Sequence, residues 1–506
     1  MRTKKATINI SISIAAFIIG FLPMIIVRKV FLEELGPELL GLSSLYTNII
    51  SYLSIVELGI GTAIIFSLHK PFSERNIEKI KAYLNYYKKI YRFIGMIILL
   101  LGIVLLPFIG IFISGDINLD EARLYFILFL FNTVFSYYFS YKFCILVVAQ
   151  EGYKVSIATT ISKLIISILQ IICLNNVPSF YIYILIQIIV NLAYYIFLSR
   201  YIDSKYSWLK SGSNHLLGNN EKKNLGKNIK ALMYHKIGGV IVFGTDNLII
   251  STFINLTAVA RYNNYSLLIG AVQGIISTGL NALTASIGNL LVEKDKAAAY
   301  LVHKRLFFIS FWIVSMVVII LYNTLTRFVT IWLGEDQTIG DLTLFIIILN
   351  LYFQLMRGSV EKFNEGAGVY YQDRYAPLFE SVINLIASIM LVKILGLAGV
   401  FIGTLISNFL VVFWVKPKMT YKYVFEEKLI KYFQLYFKYF VIGMLPFIIC
   451  YFISKHLFIE NTITAFLLNL IMNVIVTNTI YLVLFRKNKE FIYFKGLLLK
   501  AAKIRR

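Results

Sequence analysis

Some fourteen apolar segments, each near the length that crosses a bilayer, succeed one another along 506 residues, and the basic residues between them fall on alternate connections. Roughly 20 apolar residues span the hydrocarbon core as a helix, because only an internally hydrogen-bonded backbone is stable there. On that measure the segments lie near 8–30, 39–66, 93–114, 123–148, 156–174, 180–199, 231–254, 263–290, 306–328, 342–366, 377–394, 398–415, 437–454 and 463–485. An all-α polytopic membrane protein with about 14 transmembrane helices is expected. The first segment is too long for a cleaved leader and lacks a small-residue cleavage site, so it is read as a membrane helix.

The charges orient the chain. With the N-terminus inside, 37 of the 49 Lys and Arg residues lie on inner connections. Seven lie outside: Arg28, Lys29, Arg123, Arg261, Arg327, Lys393 and Lys455. The positive-inside rule then places both termini in the cytoplasm and the protein in the cell membrane. A mean hydropathy of +0.76 excludes an ordinary soluble chain, and the net charge of +23 is dispersed over short loops. Attraction to anionic membrane lipids accounts for that charge; no basic domain exists to hold nucleic acid. Cys144, Cys173 and Cys450 show no disulfide or metal spacing, no phosphate-binding loop is present, and the outer loops are too short for a catalytic domain. No catalytic residue, metal or cofactor is expected, and the chain is read as not an enzyme.

Six segments, a basic stretch and a further set of segments divide the chain into two similar bundles. The expected units are an N-terminal six-helix bundle over 1–200, a basic linker over 201–230 and a C-terminal six-helix bundle over 231–415. A basic loop over 416–436, two additional helices over 437–485 and a basic tail over 486–506 follow.

Polar residues inside the spans must face protein or water, since lipid cannot satisfy them. In the eighth segment Ser266, Gly270, Gln273, Ser277, Asn281, Thr284 and Gly288 recur at three- and four-residue steps and form one stripe. The tenth repeats this with Asn350, Gln354, Arg357, Glu361 and Asn364, and the second, more loosely, with residues that include Glu57. Small-residue stripes also serve helix packing. For the tenth segment two readings stay open: an Arg357–Glu361 pair one turn apart, or the lining of an aqueous path. Asp246 lies too deep in the seventh segment to reach water and needs a partner or a proton. Lys142 and Lys163 stand at similar depth about the turn near Gly152, where they either flank one anion or snorkel to the interface. Lys362 is placed to snorkel, and His235 and Lys236 are read as interfacial.

The run from Leu39 to Tyr46 (LLGLSSLY), with that from Val56 to Ala63 (VELGIGTA), resembles the first-half signature of polysaccharide repeat-unit flippases. The run from Gly244 to Ser251 (GTDNLIIS), continuing to Tyr262-Asn263-Asn264-Tyr265, resembles their second-half signature. The likeness runs through most of the first twelve segments and belongs to the multidrug/oligosaccharidyl-lipid/polysaccharide exporter superfamily. It implies two six-helix bundles in a V around a central cavity, moving a polyprenyl-linked oligosaccharide to the outer leaflet by alternating access. It also implies that a polysaccharide polymerase and glycosyltransferases act beside it, and it leaves coupling to H+ or Na+ open. Glu57, Asp246, Asn247, Tyr262 and Asn264 match the signatures and are read as bundle-shaping or gating. On this reading Arg357, Lys142 and Lys163 attract the anionic linkage. Gln354, Gln273, Asn281 and Asn350 contact sugars, and Asp246, Glu57 and Glu361 are the candidates for ion coupling or gating. A cation-coupled multidrug exporter and a lipid II flippase are the alternatives within the superfamily. A membrane glycosyltransferase or polymerase is the alternative outside it.

Overall fold

In the computed structural model the described residues are 2–504, apart from 58–59, 115–116, 210–216, 220, 224, 227–244, 370–372, 374 and 458–461. His235, Lys236 and most of the 231–254 segment lie outside them. The described residues are helical with short turns, and none of them forms a strand. Eleven helices among them are long and apolar enough to cross a membrane, and these coincide with eleven of the fourteen segments read from the sequence. The chain divides into two compact units, Met1–Ala260 and Arg261–Arg506.

The first unit opens with α1, Arg2–Leu53, which carries the first two apolar segments in one run broken at Gly36. The φ of 80° there is one that a glycine adopts without strain, and Pro37 restarts the helix beyond it. The second segment, expected as one helix over 39–66, differs. It ends at Leu53, passes through a tight turn at Ser54–Glu57, and resumes as α2, Ile60–Ser73. The interruption turns the Glu57 carboxylate toward two tyrosine hydroxyls, as described below. There follow α3 (Ile77–Leu105), α4 (Leu119–Phe139), α5 (Cys144–Val148), α6 (Gly152–Asn176), α7 (Phe180–Lys205) and α8 (245–253). Asn76, Asn118 and Ser179 cap α3, α4 and α7 by accepting from the backbone N–H groups of Lys79, Asp120 and Ile182. One apolar core gathers Phe31, Leu42, Leu45, Tyr46, Phe126, Phe180 and Leu256. A second gathers Ile64, Tyr87, Tyr91, Ile98, Tyr137 and Leu198.

The second unit takes up most of α9 (Leu256–Glu293) and then α10 (Lys296–Leu333), α11 (Asp341–Ala367), α12 (Ala376–Leu395) and α13 (Leu397–Ser407). It ends with α14 (Phe413–Met419), α15 (Leu429–Leu457), α16 (Ile463–Phe485) and α17 (Lys489–Ile504). At 38 residues α10 is about 57 Å long, well beyond the ~30 Å hydrocarbon core.

Helix α16 is fastened through its polar face. Asn469, Asn473, Thr477 and Tyr481 recur every four residues and are fully buried. The Asn323 amide donates to Asn473 Oδ1 (2.8 Å), Asn469 Nδ2 to the Asn323 carbonyl (3.1 Å) and Ser454 Oγ to Asn469 Oδ1 (2.8 Å). Further along, Trp312 Nε1 donates to Asn478 Oδ1 (3.0 Å) and the Tyr481 hydroxyl to Ser315 Oγ (2.8 Å). In lipid such bonds take the place of hydrophobic attraction between helices. Replacing Asn473 by Leu leaves the half-buried Asn323 amide without its acceptor. It is expected to lower stability by about 1–3 kcal/mol, read as a lower unfolding temperature in detergent.

Candidate functional site

Helix α11 carries a row of charge along one side, and the fold pairs each cation in it. Arg357 Nε donates to Glu361 Oε1 at 2.7 Å, and its Nη1 donates to Asn408 Oδ1 at 3.3 Å. One turn further, Lys362 Nζ donates to both Glu365 Oε2 and Asn281 Oδ1 at 2.6 Å, which brings the α9 stripe to the α11 row. Thr284, also on α9, donates to the same Glu365 oxygen at 3.5 Å. Lys416 of α14 bonds Asp373 at 2.5 Å. Its carbonyl accepts from the Asn364 amide (3.4 Å), whose oxygen accepts from Thr420 (2.9 Å). Glu380 on α12 is buried and acts electrostatically on Arg357, Glu361 and Lys416.

Carboxylates therefore balance the cations: Arg357, Lys362 and Lys416 stand among Glu361, Glu365, Asp373 and Glu380. The Arg357 side chain is only 12% exposed, against 32% for Glu361. A guanidinium at that depth needs a partner, and an anion that took the place of Glu361 would supply one.

The other sequence-derived candidates are distributed as follows. Asn350 donates to the Phe401 carbonyl at 2.9 Å, tying α11 to α13, while its own oxygen is buried without a partner among the described residues. Gln354 and Gln273 are half-buried. In the first unit Lys142 is clamped by both oxygens of Asp203 on α7, at 2.8 and 2.7 Å. Lys163 is exposed on α6, with the Gly20 backbone beside its aliphatic stem, and no ion pair to it is present among the described residues. The structure thus does not join Lys142 and Lys163 through a shared partner.

Glu57 sits in a tyrosine cage. Tyr91 donates to one of its oxygens and Tyr137 to the other, at 2.7 Å, and the Tyr87 ring packs against Tyr91 with centroids 4.1 Å apart. Asp246 on α8 is buried, and its Oδ1 has no hydrogen-bond partner among the described residues. Tyr52 of α1 lies within electrostatic range of it, its own hydroxyl likewise buried without a partner. The second-half signature residues are built into packing: Asn264 donates to Gln337 Oε1 at 3.3 Å, and Tyr262 lies against Phe401.

Sequence reasoning missed Asp203, Glu380, Asn408, Tyr91 and Tyr137. Glu380 stands inside the 377–394 segment, so a census of intramembrane acids finds it, whereas Asp203 falls in the stretch read as the basic linker. Nothing in the spacing pairs either tyrosine with Glu57.

Solved structures of transporters share this fold. A structure described as lipid II flippase MurJ in an inward closed conformation superposes with a TM-score of 0.69 at 14% identity, over 95% of this chain and 99% of its own. A Vibrio cholerae MATE transporter superposes at 0.58 and 15% identity, over 84% of this chain and 98% of its own. An inward-facing MATE family transporter of the MOP superfamily superposes at 0.62 and 15% identity, over 82% and 98%. No curated protein sequence matches the chain. The class defined is a multi-pass membrane protein with the MOP transporter fold. Within it the chain belongs to the family described as polysaccharide biosynthesis protein, which it matches over residues 3–284.

Proposed function

We propose that this protein is a flippase that carries polyprenyl-(pyro)phosphate-linked oligosaccharide repeat units from the cytoplasmic to the outer leaflet of the cell membrane. The units would serve a surface polysaccharide such as O-antigen, capsule or exopolysaccharide. The observation that carries this reading is the α11 row, in which a mostly buried Arg357 is held by the more exposed Glu361 carboxylate. A phosphate linkage entering beside Arg357 displaces Glu361 and takes the guanidinium in the two-pronged geometry that suits it. Asn281, Gln273, Gln354 and Asn350 then offer amides to sugar hydroxyls. Glycosyltransferases supply the lipid-linked unit, and a polymerase consumes it on the far side.

A cation-coupled cycle fits the two acids of the first unit. Glu57 or Asp246 takes up H+ or Na+, with Tyr91 and Tyr137 holding Glu57 in place. Tyr137→Phe removes one hydroxyl and little volume. It is expected to slow transport about tenfold and to lower stability by about 1.5–3 kcal/mol, the contribution of one hydrogen bond to a charged group. Wild-type rates in that variant count against Glu57 as the coupling group.

A lipid II flippase is the second reading. Similarity to the MurJ structure over 95% of the chain, against 82–84% for the two MATE structures, favours a lipid-linked cargo over a drug. Purified protein in vesicles containing a fluorescent polyprenyl-diphosphate oligosaccharide is the test, with externally added sugar oxidant reporting the leaflet. Movement of the oligosaccharide but not of lipid II supports the first reading. Movement of lipid II alone replaces it with the second.

A further inference from the structure

Helix α17, Lys489–Ile504, follows α16, a candidate span that ends at Phe485, after three connecting residues. Asn488 starts it by accepting from the backbone N–H groups of Glu490 and Phe491. One side is docked on α10. Phe491 stacks on Trp312 (centroids 5.8 Å apart, planes 7° apart), Phe494 lies over Phe308 (6.4 Å, 20°), and the Arg305 guanidinium sits 3.6 Å from the Tyr493 ring centre. These contacts and the short connection hold α17 at the level where α16 leaves the hydrocarbon.

Three further apolar side chains of α17 are exposed, Ile492 by 55%, Leu497 by 46% and Leu499 by 56%. The stretch 489–506 carries Lys489, Lys495, Lys500, Lys503, Arg505 and Arg506 against the single acid Glu490. Ile492 and Leu499, seven residues apart, share one helix face, and Lys489 and Lys495 stand on either side of Ile492 on that face. Apolar side chains bracketed by lysines that snorkel to headgroups, fixed at that level, match the boundary of an anionic leaflet.

We propose that α17 is an interfacial helix that lays Ile492 and Leu499 into the leaflet beside the end of α16 and binds anionic headgroups through Lys489 and Lys495. The inference is independent of the cargo. Its partner is the lipid surface.

The test uses the full chain with Cys173→Ser and Leu499→Cys, labelled with an environment-sensitive NBD dye; the buried Cys144 and Cys450 stay in place. It is reconstituted in phosphatidylcholine vesicles with and without phosphatidylglycerol, and shallow spin-labelled lipids serve as quenchers. Asn219→Cys, on an exposed cytoplasmic-loop position, is the water reference. Dye at 499 is expected to emit to the blue of the reference and to be quenched more strongly as phosphatidylglycerol is added. Lys489→Gln with Lys495→Gln should raise the phosphatidylglycerol content needed for half-maximal quenching about threefold. Reference-like emission without quenching overturns the proposal, as a face reserved for a protein partner would give. Quenching that ignores lipid charge overturns the headgroup assignment.

Discussion

Arg357→Ala is expected to leave lipid-linked oligosaccharide on the inner leaflet and to cut surface polysaccharide by about 10- to 100-fold, the effect of losing one charge-assisted phosphate contact of about 1.5–3 kcal/mol. The variant carries a second cost. It strands Glu361 beside the buried Glu380, and breaking a buried pair by removing one partner costs about 3–5 kcal/mol. Loss of transport could then reflect loss of fold. The double variant Arg357→Gln with Glu361→Gln separates the two, because it replaces the ion pair by neutral amides of similar size. Its unfolding temperature should return close to that of the wild type while transport stays low. Arg357→Lys should retain a part of the rate, having the charge without the fork. Normal surface polysaccharide in the folded double variant would remove Arg357 from the substrate path.

The same pairing explains how a bundle of apolar helices keeps these cations. Had Arg357, Lys362 and Lys142 been left bare, each would cost several kcal/mol in the core, and the unloaded protein would bear that cost permanently. Carboxylates at Glu361, Glu365 and Asp203 neutralise them instead. Lys163, exposed on α6, meets no such need.

The sequence made the helices legible because a bilayer imposes one length and one backbone solution. The bounds of α11 (Asp341–Ala367) lie within one residue of the expected 342–366, and α16 has the bounds 463–485 in both. The Arg357–Glu361 contact was also within reach, since a four-residue separation puts both on one helix face. Contacts between helices were not. That Asp203 faces Lys142 depends on how α7 rotates against the turn after α4, which periodicity leaves undetermined. The break at Ser54–Glu57 escaped because an uninterrupted apolar run reads as one helix, whereas at the break two tyrosine hydroxyls bond the half-buried Glu57 carboxylate. The α16 ladder was visible as an asparagine repeat, but its partners Asn323 and Ser454 lie on other helices.

Gly41→Ala is expected to damage the first unit more than any other single methyl group. Gly41 lies in the LLGLSSLY run, and a Cβ there would sit 2.0 Å from the Leu256 carbonyl oxygen, 2.7 Å from its carbon and 3.1 Å from its Cα. All three are backbone atoms, so no rotamer change makes room, and α1 must retreat from the start of α9. The retreat would open the core around Leu42, Leu45 and Tyr46, all fully buried, and draw the Tyr46 hydroxyl away from the Ala122 carbonyl that it holds at 2.7 Å. Overpacking in a close-packed core costs about 1–3 kcal/mol where side chains can yield. Where only backbone can move, about 3 kcal/mol or more is expected. Gly279→Ala is the control, because nothing lies within 4 Å of its added Cβ and the helix interior favours alanine by about 1 kcal/mol. Thermal unfolding of the two variants in the same detergent should therefore move in opposite directions, with Gly41→Ala the poorly expressed one. Equal stability of the two would mean that α1 and α9 do not cross as closely as the structure has them.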